Sequence, residues 1–193
     1  MPTDLLVPIF PSVSDRTSSA VPGGTGRPFD RAPRLPVDAL ADIVGGLARA
    51  ESLWRPHVRH DDEQRARVRL LSTPIYEVWL LGWLPGQAAG LHDHGGANGA
   101  LIVVDGDLEE ARSTGRPGGA LIRRRLTAGD GATIDAGVAH DLANRSAGPA
   151  TTLHAYSQPL RSMGFYEEPT PGVHGHRIRT HWVDPAPAVL AAE

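Results

Sequence analysis

Three of the nine histidines in this 193-residue chain, His92, His94 and His140, stand where they could hold a metal ion. The segment GLHDHGG sets His92 and His94 two residues apart. On extended backbone, residues i and i+2 share a face, so the two imidazoles can converge on one point. On a helix the same pair would lie about 200° apart around the axis, so the spacing predicts a strand. His140 follows a glycine turn in AGVAHDLANRS. Three neutral imidazoles from neighbouring strands suit a divalent transition metal and leave positions open for a substrate.

The elements that must carry these residues show in the hydrophobic pattern. Leu40, Ile43, Val44 and Leu47 recur at helical spacing between Asp38 and about Ala50, and a second short helical piece runs through Leu53 and Trp54. From Val68 the pattern changes to short strand-like segments. These are Tyr76–Gly86, Gly99–Ala111, Ala120–Gly137 and Ala150–Leu160, punctuated by Gly, Asp and Pro. Such spacing predicts a β-sandwich or barrel. Residues 1–35 are rich in Pro, Gly, Ser and Thr and are expected to form an extended or partly disordered arm. Residues 36–168 form the helical preface and barrel, and 169–193 a tail in which His176–Val183 is a candidate edge strand.

Composition narrows the chemistry. The chain has no cysteine, which removes disulfides, thiolate nucleophiles and cysteine-based metal sites. All 19 basic residues are arginines, so a lysine Schiff base and a P-loop are excluded. A formal charge of −3 gives no basic field for nucleic acid, and the triplet Arg123–Arg125 fits a solvated strand edge. No apolar run reaches the roughly 18–20 residues of a membrane span, and the first residues lack a secretory pattern, so the expected compartment is the cytoplasm. The sequence sets no oligomeric state and is compatible with a monomer. Histidine, carboxylate, arginine and tyrosine remain as the reactive groups. His57 and His60 lie in a charged linker, while His174, His176 and His181 lie in the tail. The HGH of 174–176 lacks a following strand and a third partner, so it is expected at the surface.

The wider spacing carries more. Gly86 is followed by five residues, His92, one, His94, four, Gly99, six and Gly106. Later, Gly129 is followed by five residues, Asp135, one, Gly137, two, His140, three and Asn144. These runs resemble the two motifs of the cupin superfamily. The resemblance implies an all-β protein with a small N-terminal helical segment, built as a cupin β-barrel (a double-stranded β-helix or jelly roll). The superfamily places a glutamate ligand where Gly99 stands and a proline where Asp135 stands. Without that carboxylate, three neutral ligands leave the full charge of a dipositive ion exposed, which favours capture of an anion such as a thiolate.

A three-histidine cupin site without glutamate resembles the cysteine dioxygenase family. Further matches are Trp83 ahead of the glycine-rich turn and TLHAYSQPL, which is similar to the family's Ser-x-His-x-Tyr-Ser-Pro-Pro segment. The resemblance spans roughly Arg65 to Tyr166. It implies that His92, His94 and His140 hold iron(II). It also implies that cysteine binds through thiolate and amine, and that both atoms of O2 pass to sulfur to give cysteine sulfinic acid. His154 and Tyr156 fall on the family's outer relay, with the tyrosine hydrogen-bonding to bound substrate or oxygen. An arginine on an early strand pairs with the substrate carboxylate in that family, and Arg69 is the matching residue, with Arg67 on the same face as alternate. The planar guanidinium fork suits a carboxylate. Thr152 keeps the hydroxyl of the family's serine. Gln158 replaces the first proline of the pair, which leaves open whether the bond before it is cis. Gly99 also occupies the position of a cysteine that crosslinks to the tyrosine in animal enzymes, so no thioether can form.

The expected activity is therefore an iron-dependent dioxygenase acting on L-cysteine, with O2 as co-substrate and a small-molecule thiol as partner. The nearest alternative is 3-mercaptopropionate, whose dioxygenases carry glutamine rather than arginine at the anchor. A zinc or manganese cupin catalysing isomerisation or hydrolysis generally keeps the glutamate that Gly99 replaces. A non-catalytic cupin often loses metal ligands that are all present here.

Overall fold

Leu40 and Val44 give the first helix one apolar face, and that face decides where it docks. In the computed structural model, which describes residues 33–115, 119–183 and 187–190, the helix α1 spans Val37–Arg49 and the short α2 spans Glu51–Trp54. Residues 1–32 of the expected arm lie outside the described residues. The strands are β1 (Arg67–Ser72), β2 (Glu77–Trp83), β3 (His92–Asp93), β4 (Asn98–Asp105), β5 (Asp107–Ser113), β6 (Leu121–Thr127), β7 (Gly131–Ile134), β8 (His140–Ala143), β9 (Ala150–Ser157), β10 (Ser162–Tyr166) and β11 (Arg177–Trp182). The expected tail strand is β11, at the edge of its sheet.

All strand pairs are antiparallel and build two sheets, β1-β2-β9-β4-β7 and β11-β10-β3-β8-β5-β6. This is the two-sheet cupin barrel. Alternation along the strands separates two cores. Trp79, Leu81 and Trp83 of β2, Leu101 and Val103 of β4 and Tyr156 of β9 face the barrel interior. Val78 and Leu80 of β2, Ala100 of β4, and Leu153 and Ala155 of β9 face outward and are covered by Leu40, Val44 and Trp54 of the helical preface. With both faces covered, β2 and β9 are buried at every residue. That cover explains why their sequences lack polar alternation.

Charge finishes the open edge. On β6, Arg123, Arg124 and Arg125 pair with Glu109, Glu110 and Asp107 of β5. Asn144, with no exposed surface, donates from Nδ2 to the carbonyls of Trp83 and Gly148 and so closes the loop after β8. The Ser157–Gln158 peptide bond is cis.

Gly106 turns β4 into β5 at φ +72°, where an added Cβ would clash with the Pro149 carbonyl and come within 2.8 Å of Ala150 Cα. Gly129 also has positive φ, yet its Cβ would meet nothing within 4 Å. Gly106→Ala is therefore expected to cost on the order of 3 kcal/mol, from backbone strain plus overpacking, against about 1 kcal/mol for Gly129→Ala. Urea unfolding of the two variants measures the difference.

Candidate metal centre

His92 opens the two-residue strand β3, His94 lies just beyond it, and His140 opens β8 directly opposite His92. The pairing is what brings residues 48 positions apart in sequence into one cluster. One ligand nitrogen from each of the three lies within 4.8 Å of the others. The ring centroids are 4.9 to 5.2 Å apart. All three rings are buried. Zinc-type bonds to imidazole are about 2.0–2.1 Å, so small side-chain rotations would seat one ion among them.

The hydrogen bonds agree with that role. His92 Nδ1 lies 2.7 Å from the Gly90 carbonyl, which can only accept, so Nδ1 carries the proton and Nε2 offers its lone pair. His140 Nδ1 lies 3.1 Å from Glu110 Oε1 and donates to it. Neither nitrogen of His94 has a hydrogen-bond partner among the described residues, although the ring is buried. A buried polar group left unmatched in this way asks for a ligand. The all-imidazole donor set with its orphaned His94 fits a divalent transition metal.

Burial first, then the neighbouring charges, lowers His92, His94 and His154 well below the ordinary histidine value. The two ligands among them are thus neutral and ready to coordinate. Glu110 is opposite in sense. Burial pushes its carboxyl up, but the hydrogen bond and charge of His140, with Arg112 and Arg124, outweigh that and bring it down to about 2.

Asp93 points away from the cluster. Its Oδ1 accepts from the backbone N–H groups of Gly95 and Gly164, at 2.8 and 3.2 Å. Its Oδ2 accepts from Tyr166 Oη at 2.5 Å and from Arg177 at 2.9 Å. The residue between the two ligands therefore pins β3 to β10 and β11. Gly99 faces Tyr156 across β4 and β9. A Cβ there would lie 3.4 Å from His94 Nδ1 and from two ring carbons of Tyr156, so the missing side chain leaves room beside the metal position.

On β9, Thr152, His154 and Tyr156 share the inner face and form one chain of hydrogen bonds. Trp83 Nε1 donates to Thr152 Oγ1 at 2.9 Å, Thr152 Oγ1 lies 2.9 Å from His154 Nε2, and His154 Nδ1 lies 3.0 Å from Tyr156 Oη. An indole N–H only donates, so the buried threonine passes its own proton to His154 Nε2. Neutral His154 then donates from Nδ1 to the tyrosine oxygen. The Tyr156 proton is left for the cavity, and burial pushes its phenol up, which keeps that proton on.

The cavity encloses about 40 Å³ and is lined by His92, His140, His154, Tyr156, Arg65 and Arg67, with Trp79, Trp83, Leu142 and Met163 among the apolar walls. One water needs about 10–15 Å³ by such a measure, so only a small molecule fits. Arg69 is not in this lining. Its Nη2 pairs with Glu77 Oε2 at 2.7 Å, and its guanidinium lies 5.7 Å from the Trp79 ring centre. The carboxylate that Arg69 engages is the protein's own Glu77. Arg65, which the sequence reading passed over, stacks over Trp83 at 4.4 Å. Burial lowers its guanidinium to about 10, still charged at neutral pH. Its buried Nε has no hydrogen-bond partner among the described residues. The period-two run Arg65, Arg67, Arg69 signals one shared face but does not say which arginine reaches the cavity.

A family model described as cysteine dioxygenase type I matches residues 29–169. The chain belongs to the cysteine dioxygenase type I family. Membership supports a thiol dioxygenase with a metal at the three histidines. Solved structures share about half of the chain. A protein of Thermus thermophilus has 24% identity and a TM-score of 0.49, covering 54% of this chain and 93% of its own. A cupin superfamily protein of Desulfitobacterium hafniense has 13% identity and a TM-score of 0.45, with coverage of 54% and 87%. A cupin 2 conserved barrel domain protein of Salinispora arenicola has 22% identity and a TM-score of 0.41, with coverage of 54% and 83%. Among the described residues, no helix is long and apolar enough to cross a membrane.

Histidines kept neutral when folded take up protons once unfolded, near pH 6.5. Below that pH the unfolded chain binds more protons than the native one, so stability falls as pH falls. Each such histidine contributes a slope approaching about 1.4 kcal/mol per pH unit. The urea midpoint of metal-free protein should accordingly drop between pH 7.5 and pH 5.5. An unchanged midpoint would show that the imidazoles are not held neutral.

Proposed function

We propose that the protein is an iron-dependent dioxygenase that adds both atoms of O2 to the sulfur of L-cysteine, giving cysteine sulfinic acid. Atoms balance without a further reductant: one thiol and one O2 give one sulfinic acid. The observation that carries the reading is a three-histidine donor set, two of whose members, His92 and His140, line one small cavity with Arg65, a buried guanidinium for which no ion pair or hydrogen bond is found among the described residues. Held by His92, His94 and His140, iron(II) would supply the redox chemistry that joins sulfur to O2.

The chain's own residues do the rest. Arg65 meets the substrate carboxylate with its planar fork, a charge-assisted contact in a site with little water. Tyr156 donates its free proton to the reacting atoms, held in place by His154, Thr152 and Trp83. Gly99 leaves space where a carboxylate ligand would otherwise stand, so the thiolate provides the negative charge. Trp79, Leu81, Trp83 and Leu142 keep the cavity apolar. The reading places the enzyme in the cytoplasm, where small thiols stay reduced.

The test loads the protein with iron(II) anaerobically and measures O2 uptake on cysteine, 3-mercaptopropionate and cysteamine. Cysteine should lead, and cysteamine, which has no carboxylate, should be poorest. Absence of any thiol-dependent O2 uptake overturns the proposal, and preference for 3-mercaptopropionate overturns the substrate assignment. Hydrogen bonds to charged groups contribute about 1.5–3 kcal/mol. Arg65→Gln should thus lower kcat/KM for cysteine roughly 10- to 150-fold while iron content holds. Arg69→Gln leaves buried Glu77 poorly matched, so it should cost on the order of 3 kcal/mol in stability with little change in KM.

A further inference from the structure

Glu110 has no exposed surface, and its carboxylate lies between a metal ligand and the outside of the barrel. Its Oε1 accepts from His140 Nδ1 at 3.1 Å and from Arg112 Nη2 at 3.0 Å. Its Oε2 accepts from Arg124 Nε at 2.7 Å and lies 2.7 Å from Nη2 of the same guanidinium. Arg112 Nη2 is itself held by the Thr133 carbonyl at 2.6 Å. The sheet sets this up. On β5, Glu110 stands opposite Arg124 of β6, while Arg112 stands opposite His140 of β8. Both arginines line a surface groove of about 480 Å³ behind the metal position.

Two arginines against one carboxylate is more positive charge than a buried anion needs for balance. Arginine N–H groups only donate, so both oxygens of Glu110 act as acceptors, and an acceptor beside His140 Nδ1 obliges that nitrogen to carry the proton. Only Nε2 can then face the cluster. A carboxylate on the N–H of a ligating imidazole also raises the basicity of its other nitrogen.

We propose that Glu110 is the positioning residue of the metal centre, locking His140 in the Nδ1–H form with its Nε2 turned to the metal. The proposal rests on the three-histidine metal site but not on thiol oxidation.

Cobalt(II) serves as the probe, because binding and the visible ligand-field spectrum report on the site without turnover. Glu110→Gln keeps an acceptor atom but removes the charge. It should bind cobalt(II) about 10- to 100-fold more weakly than wild type, with a changed spectrum. Glu110→Asp should recover part of the loss. Glu109→Gln, one residue away on an exposed pair with Arg123, should bind as wild type does. Wild-type affinity and spectrum in Glu110→Gln would overturn the proposal, whatever the activity. Failure of wild-type protein to take up cobalt(II) would overturn the metal site as well. Nitrogen-15 NMR of metal-free wild-type protein gives an answer that needs no variant. A proton on His140 Nδ1 supports the assignment, and an Nδ1 without a proton overturns it.

Discussion

A polar group inside a closed barrel must find a partner, because water is not there to provide one. That constraint organises this interior. His92 gives its proton to the Gly90 carbonyl, His140 to Glu110, and His154 is held between Thr152 and Tyr156. Among the described residues, the buried side-chain atoms without a hydrogen-bond partner include both nitrogens of His94 and the Nε of Arg65, together with Trp79 Nε1, Arg112 Nε and Asp141 Oδ1. His94 and Arg65 are the two whose chemistry suits a metal and an anion.

The same logic divides the fold. The five-stranded sheet has one face in the barrel and the other under the helical preface, so its strands β2 and β9 need no solvent-facing polar residues. The six-stranded sheet keeps an exposed arginine row on β6, answered by acidic residues of β5. Only at Glu110 does that surface row touch the chemistry. There the edge pairing that finishes a sheet also reaches a metal ligand.

How much of this was legible in the sequence depends on whether a feature is local. His92 and His94 share a strand face by period alone, and so do His154 and Tyr156. The turn glycines 106 and 129 and the amphipathic pattern of α1 are local too. Which arginines reach the cavity was not legible. Arg65, Arg67 and Arg69 are equivalent by period, and what sets Arg69 apart is Glu77 beyond the turn to β2, which engages it. Glu110 was missed for a related reason. Its link to His140 spans 30 residues of chain and exists only because β5 pairs with β8. The helix was visible, but the sheet face it covers was not, since no pattern in α1 names β4 or β9.

Trp83 gives the hydrogen-bonded row behind Tyr156 a consequence of its own. An indole nitrogen has a proton to give and no lone pair to receive one, so the row has a sealed end. Trp83 and Thr152 have no exposed surface, so the far end of the row is closed off. Such a row can aim a hydroxyl but cannot conduct. A proton released in this cavity has no exit along it.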